Sequence, residues 1–320
     1  MSPKRLLYAV LLSVCVVASG VHAQTGQPAP QPAPDTSAAP APAAPDADTS
    51  PAPAAAPSAA APSTDQASAP APASAPRPAA AYSAPPPGPV QNIVLVHGAF
   101  VDGSSWNGVI ERLQKKGYRV VSVQIPLTSL ADDVAATRRA LARLSGPTVL
   151  VGHSWGGVVI TEAGSGPDAS KVVGLVYVAA IAPDVGESTG DVLKRGPQMP
   201  IGSAMNKDAA GFLWLDPAKY HSDFAADVPE SLTRVLVAAQ QPIAGKAFEE
   251  RVTQAAWRYK PSWYIVTTRD RAVSPEIQRW MAHRIGATIV ETPSSHLVSV
   301  AHAGATADAI ARAAKEFGKE

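Results

Sequence analysis

Three residues of this 320-residue chain could together do nucleophilic chemistry: Ser154, Asp270 and His296. Ser154 lies in the stretch TVLVGHSWGG, where the run 148–151 meets Gly152-His153-Ser154-Trp155-Gly156, a G-x-S-x-G pattern. A strand that turns sharply into a helix leaves its turn residue exposed at the carboxyl end of a sheet, where open α/β sheets bind ligands. Such a turn strains the serine backbone and demands small residues two positions to either side, as Gly152 and Gly156 are. The hydroxyl is still a weak nucleophile. It needs a histidine to take its proton and a carboxylate to orient that histidine.

Seven histidines are present. His22 belongs to the leader, His153 adjoins the serine and faces the other way, His97 sits in the first turn, and His221 and His283 fall in the insertion and inside a helix. His296, in ETPSSHLVSVAHAG, follows the last strand on the same sheet edge as Ser154 and is the expected base, with His302 as the fallback. Asp270, in YIVTTRDRAVSPEIQ, follows the fifth strand on that edge and is the expected acid; Asp184, after the fourth strand, is its rival. The order Ser154, Asp270, His296 is the one this type of sheet uses. Acyl transfer also needs oxyanion donors. The Trp155 N–H at the helix start supplies one, and the loop LVHGAFVDGSSW supplies the other, from Ala99 or alternatively from Phe100. The rings of Phe100 and Trp155 are expected to line the acyl pocket.

The elements that must position these residues are visible as an alternation. Short β-branched runs at 92–96, 119–124, 148–151, 172–178, 262–267 and 288–290 read as strands covered on both faces. Helical stretches separate them: SWNGVIERLQKKG with its glycine stop, SLADDVAATRRALARLSG with Ser129 as N-cap, then 155–163, 275–285 and 303–317. The fold class is therefore α/β: a doubly wound, mostly parallel sheet of about six strands. One long insertion, about 186–259, rich in Met, Phe and Trp, interrupts the alternation and is expected to form a mostly helical cap.

Composition divides the chain into three zones. Residues 1–23 place Lys4 and Arg5 before an apolar run of about 14 residues and end in Val21-His22-Ala23, the layout of a secretory signal peptide. That run is shorter than the roughly 20 residues of a membrane span, so no stable membrane insertion is expected after cleavage. Cys15, the single cysteine, lies inside it, and Val14 before it is too large for a lipidation site. The mature chain would then have no thiol, which excludes disulfides, cysteine nucleophiles and thiolate metal sites. Residues 24–89 hold 19 of the 32 prolines and almost no large apolar side chain, the composition of a disordered Pro/Ala-rich linker. Residues 90–320 suffice for one well-buried domain. A net charge of +1 with no basic run gives nucleic acid nothing to bind. The expected location is exported, periplasmic or secreted; oligomeric state is not legible.

The motifs VLVHGAF…GSSW, VGHSWGG, TTRDRAVSPE and SSHLVSV together resemble the α/β-hydrolase superfamily, in particular its small capped, plant-esterase-like members, over about 92–318. The resemblance implies a serine esterase: cofactor-free, metal-free hydrolysis of a small, largely apolar carboxylic ester through an acyl-enzyme. It also brings in hydroxynitrile lyases, perhydrolases and C–C hydrolases built on the same scaffold. The plant lyases carry a lysine after the triad histidine, where this chain has Leu297; two prolines common after the acid loop are here Ser274-Pro275. On the esterase reading, Phe212, Trp214, Tyr220 and Phe224 of the insertion are candidate pocket walls, with ordinary cap packing as the alternative for each. A non-catalytic, envelope-associated binding protein is the competing reading from another class, since fold alone does not fix function.

Overall fold

The computed structural model describes residues 88–319. The expected signal peptide, Cys15 and nearly all of the expected linker lie outside the described residues. Four strands come first: β1 (Asn92–Val96), β2 (Arg119–Val123), β3 (Thr148–His153) and β4 (Val172–Val178). Helices α1 (Asn107–Lys115), α2 (Leu130–Ala142) and α3 (Trp155–Ala163) connect them. Ser129 caps α2 as expected, its side chain accepting from the Asp132 N–H. The insertion then supplies α4 (Thr189–Leu193), α5 (Ile201–Ala204), β5 (Met205–Lys207), β6 (Phe212–Leu215), α6 (Pro217–Phe224), α7 (Glu230–Ala238) and β7 (Ile243–Ala244). The chain returns to the sheet with β8 (Ser262–Thr267), α8 (Pro275–Arg284), β9 (Thr288–Thr292), α9 (Val298–Ala301) and α10 (Ala303–Phe317).

The main sheet has the order β2-β1-β3-β4-β8-β9, with every pair parallel. Hydrophobicity explains that order. Every position of β1, β3, β4 and β8 is buried, as continuous apolar runs require in central strands. The more polar RVVSV and TIVET are half exposed and form the two edges.

Strand alternation divides the core into two layers. Ile93, Leu95, Val149, Val151, Val176 and Val178 meet α1 and α10 on one face. Val94, Val96, Leu150, Leu175, Tyr177 and Tyr264 meet α2, α3, α8 and the insertion on the other. The insertion shares the second layer through Leu215, Tyr220, Phe224, Val228 and Ile243.

The cap carries its helices, and in addition a three-stranded antiparallel sheet, β5-β6-β7, that was not expected. Its strands are two to four residues long, too short to show a period of two against a helical background. Among the described residues no helix is long and apolar enough to cross a membrane.

Candidate active site

The turn between β3 and α3 has the geometry that its glycines suggest. Ser154 holds φ 53° and ψ −120°, a conformation that costs a non-glycine residue about 1–3 kcal/mol. Three backbone hydrogen bonds pin it: its N–H donates to Val178 O, and its carbonyl accepts from Gly157 and Ile181. A Cβ on Gly152 would land on the Gly156 carbonyl, and one on Gly156 would land on Val96 O. A Cβ on Gly98 would come within 2.8 Å of the Ser154 Cβ, so the β1 loop crosses directly beside the serine. Ser154 is partly exposed at this crossing.

Asp270 and His296 are brought together in a buried pair, with Nδ1 of His296 2.7 Å from Oδ2 of Asp270. The carboxylate cannot donate, so Nδ1 carries the hydrogen and Nε2 is left as the basic nitrogen. Asp270 is strongly furnished with donors. Thr267 Oγ1 (2.7 Å) and Gln278 Nε2 (2.8 Å) also reach Oδ2, while the Ala272 and Val273 N–H groups reach Oδ1 at 2.8 and 2.9 Å. Burial alone would raise its pKa, but the His296 charge and these hydrogen bonds together hold the carboxyl below its ordinary value.

The rival residues lie elsewhere. Asp184 takes a two-pronged ion pair from Arg258 at 2.7 and 2.8 Å. His302 faces Asp227 at 3.1 Å, and His221 faces Thr233. His97 bridges its own loop, Nδ1–H to Gly98 O and Nε2 accepting from the Ile125 N–H. His153 is fully buried and not idle. Its Nε2–H donates to His296 O at 3.0 Å, and its ring lies 4.8 Å from the His296 ring. Burial above all, with the neighbouring His296 charge, pushes its pKa down to about 3.

The oxyanion expectations narrow. The Phe100 N–H is committed to Gln241 O at 3.2 Å, which removes it as the alternative to Ala99. The Trp155 N–H stands at the first residue of α3, where helix N–H groups point outward. The Trp155 ring departs from expectation: it is fully buried, donates from Nε1 to Asp133 Oδ2 at 2.7 Å and packs edge-on against Phe248. It anchors the elbow to α2 instead of walling a pocket. Asp133 also accepts the Leu127 N–H, and burial pushes its carboxyl up to about 6 in spite of these bonds.

Phe212 and Trp214, the expected pocket walls from the insertion, lie on β6 (Phe212–Leu215). On β6, Leu213 and Leu215 pack on the core, so alternation turns Phe212 and Trp214 to the other face of the small sheet. The aromatics gathered at the site are Phe224, 5.0 Å from the His296 ring, with Phe100 and Tyr220 edge-on against Phe224. Tyr220 OH donates to Phe100 O at 3.0 Å and so ties the cap to the β1 loop. The reading of the sequence missed Gln278, Thr267 and Asp133. A buried glutamine beside Ile277 and Met281 on the apolar face of α8 was the available signal. Among the described residues no group of His, Cys, Asp or Glu is arranged to hold a metal ion.

This elbow, this acid–base pair and this sheet order define a class. Residues 93–309 match the model of the alpha/beta hydrolase family, and the chain belongs to that family. Among its relatives is the alpha/beta hydrolase nvfD of Aspergillus novofumigatus, 30% identical over 208 residues that cover 59% of this chain and 82% of that protein. Methylesterase 2 of Arabidopsis thaliana is 25% identical over 228 residues, covering 62% and 86%. The solved structure of a pyrethroid hydrolase from Sphingobium faniae JZ-2 superposes with a TM-score of 0.62 at 24% identity over 70% of this chain and 97% of that one, a likeness of fold.

Proposed function

We propose that this protein is an exported serine esterase that cleaves a small or medium, largely apolar carboxylic ester through an acyl-enzyme. The observation that carries the reading is the buried Asp270–His296 pair on the sheet edge where Ser154 holds its strained turn. In this mechanism Nε2 of His296 takes the proton from Ser154 Oγ as the oxygen attacks the ester carbonyl, and returns it to the departing alkoxide. Asp270 keeps Nδ1 protonated and offsets the imidazolium charge. The Ala99 and Trp155 N–H groups hold the oxyanion, and a water then repeats the sequence to release the acid.

The relatives support ester hydrolysis in their own names, a methylesterase and a pyrethroid hydrolase among them. The aromatic cluster of Phe100, Tyr220 and Phe224 beside His296 supports an apolar substrate. Export rests on the leader sequence alone.

Turnover of p-nitrophenyl esters from acetate to decanoate, with Ser154→Ala in parallel, tests the reading. Activity that drops about a thousandfold or more in the variant supports it. No turnover of any ester, or turnover indifferent to Ser154, would overturn it. No step uses a metal, so EDTA should leave the rate unchanged, and loss of activity on chelation would contradict the scheme.

A further inference from the structure

Both loops that carry the acid and the base are held by one short piece of the cap. Residues 223–227 close α6 and the turn after it, and they reach the catalytic loops at two points. Asp223 Oδ1 accepts from Arg271 Nε and Nη2 at 3.3 and 3.2 Å, and Arg271 directly follows Asp270. Asp227 Oδ2 accepts the Ser295 N–H at 3.1 Å and Asp227 Oδ1 accepts the Ser295 hydroxyl, and Ser295 directly precedes His296. Between the two carboxylates, Phe224 is 2% exposed and lays its ring 5.0 Å from that of His296.

The two grips differ in quality. Arg271 is half exposed and its bonds to Asp223 are long, so solvent screens that pair. Ser295 is nearly buried and presents both its N–H and its hydroxyl to one carboxylate, and His302 Nε2 faces the same Oδ2 at 3.1 Å. Charge-assisted bonds of this kind are about twice as strong as neutral ones. Partial burial would raise the Asp227 pKa, but the Ser295 and His302 bonds hold it below its ordinary value, so the carboxylate stays ionised in the neutral range. His296 otherwise sits on a loop after β9, where a displacement of about 1 Å costs on the order of a hundredfold in rate.

We infer that Asp227 is a positioning residue: through Ser295 it fixes the loop that carries His296, so the cap sets the acid–base geometry besides covering the site. The inference rests on the serine-esterase reading. The Asp223–Arg271 pair assists the Asp270 loop to a smaller degree.

The test uses the full chain on p-nitrophenyl butyrate, with Ser154→Ala as the control for the reading itself. Asp227→Ala should lower kcat at least about tenfold with KM changed less than about threefold, since the loss falls on the transition state. Asp227→Asn keeps an acceptor for the Ser295 N–H and should recover most of that loss; Asp223→Ala should cost no more than about threefold. Ser295→Ala, which deletes only the hydroxyl contact, should fall between wild type and Asp227→Ala and serves if the latter does not fold.

The downfield proton resonance of the His296 Nδ1–H···Asp270 bond should weaken in Asp227→Ala and return in Asp227→Asn. If Ser154→Ala is inactive while Asp227→Ala and Ser295→Ala keep kcat within about twofold, the inference fails and the esterase reading stands. It also fails if the loss appears in KM alone, or if Asp227→Asn is as impaired as Asp227→Ala. A Ser154→Ala variant that still turns over would instead remove the reading on which the inference depends.

Discussion

Ser154 shows how much backbone energy the turn commits to one hydroxyl. At φ 53° and ψ −120° the residue is strained, and no side-chain cap on α3 compensates it. Ser154→Gly should therefore abolish ester turnover while raising unfolding stability by up to about 1 kcal/mol, because glycine tolerates positive φ. Chemical denaturation of both proteins checks this; a glycine variant less stable than wild type would mean that the serine side chain, and not the strain, dominates. The position was legible because the constraint is written in neighbouring glycines: Gly152 and Gly156 have no room for a Cβ. Asp133 was not legible. Nothing in LADDV announces that its second aspartate turns inward to hold the Trp155 indole, since the partner lies 22 positions away and joins it only in three dimensions.

Among the elements, the central strands could be read almost to the residue, because burial on both faces leaves a continuous apolar run with no period to misjudge. The cap could not. In β6 the run FLWL looks uniformly apolar, and which two of its side chains face the core depends on the partner strands β5 and β7 that the sequence does not advertise. That alternation separates two otherwise similar aromatics. Trp214→Ala should leave kcat/KM within about threefold, whereas Phe224→Ala, which removes the ring against His296, should lower it more than about tenfold on apolar esters. Comparable losses in the two variants would show that the small sheet presents its Trp face to the substrate after all. Gln278 acts at the same scale: α8 delivers it to Asp270, Thr267 and the Val273 carbonyl at once. Gln278→Leu should strip one donor from Asp270 and leave the Thr267 N–H without its partner, with a fall in both kcat and stability.

Across the whole molecule, buried ionisable groups set the response to acid. His153 is held neutral with a pKa near 3 in the fold against 6.5 free, so it contributes its full stability above about pH 6.5 and loses it as pH falls toward 3. Asp270, whose carboxyl lies below its ordinary value, acts in the same direction at lower pH. Asp133 opposes them: with its carboxyl raised from 3.8 to about 6, the fold gains stability as pH drops through that interval. Between pH 7 and pH 4 the loss from His153, about 2.5 pH units, is nearly matched by the gain from Asp133, about 2, so unfolding stability should change by less than about 1 kcal/mol. His153→Gln removes the opposing group and leaves Asp133 dominant, so its unfolding stability should rise from pH 7 to pH 4; a variant that loses stability over that interval would contradict this ranking.

The central claim is that Ser154 is the nucleophile of an acyl-transfer site, and covalent capture tests it without any choice of substrate. Treating the full chain with a fluorophosphonate and mapping the adduct by peptide mass spectrometry should place one label on the peptide containing Ser154. Labelling should be lost in Ser154→Ala and slowed in His296→Ala. An unlabelled protein that still hydrolyses esters, or a label on any other residue, would contradict the account.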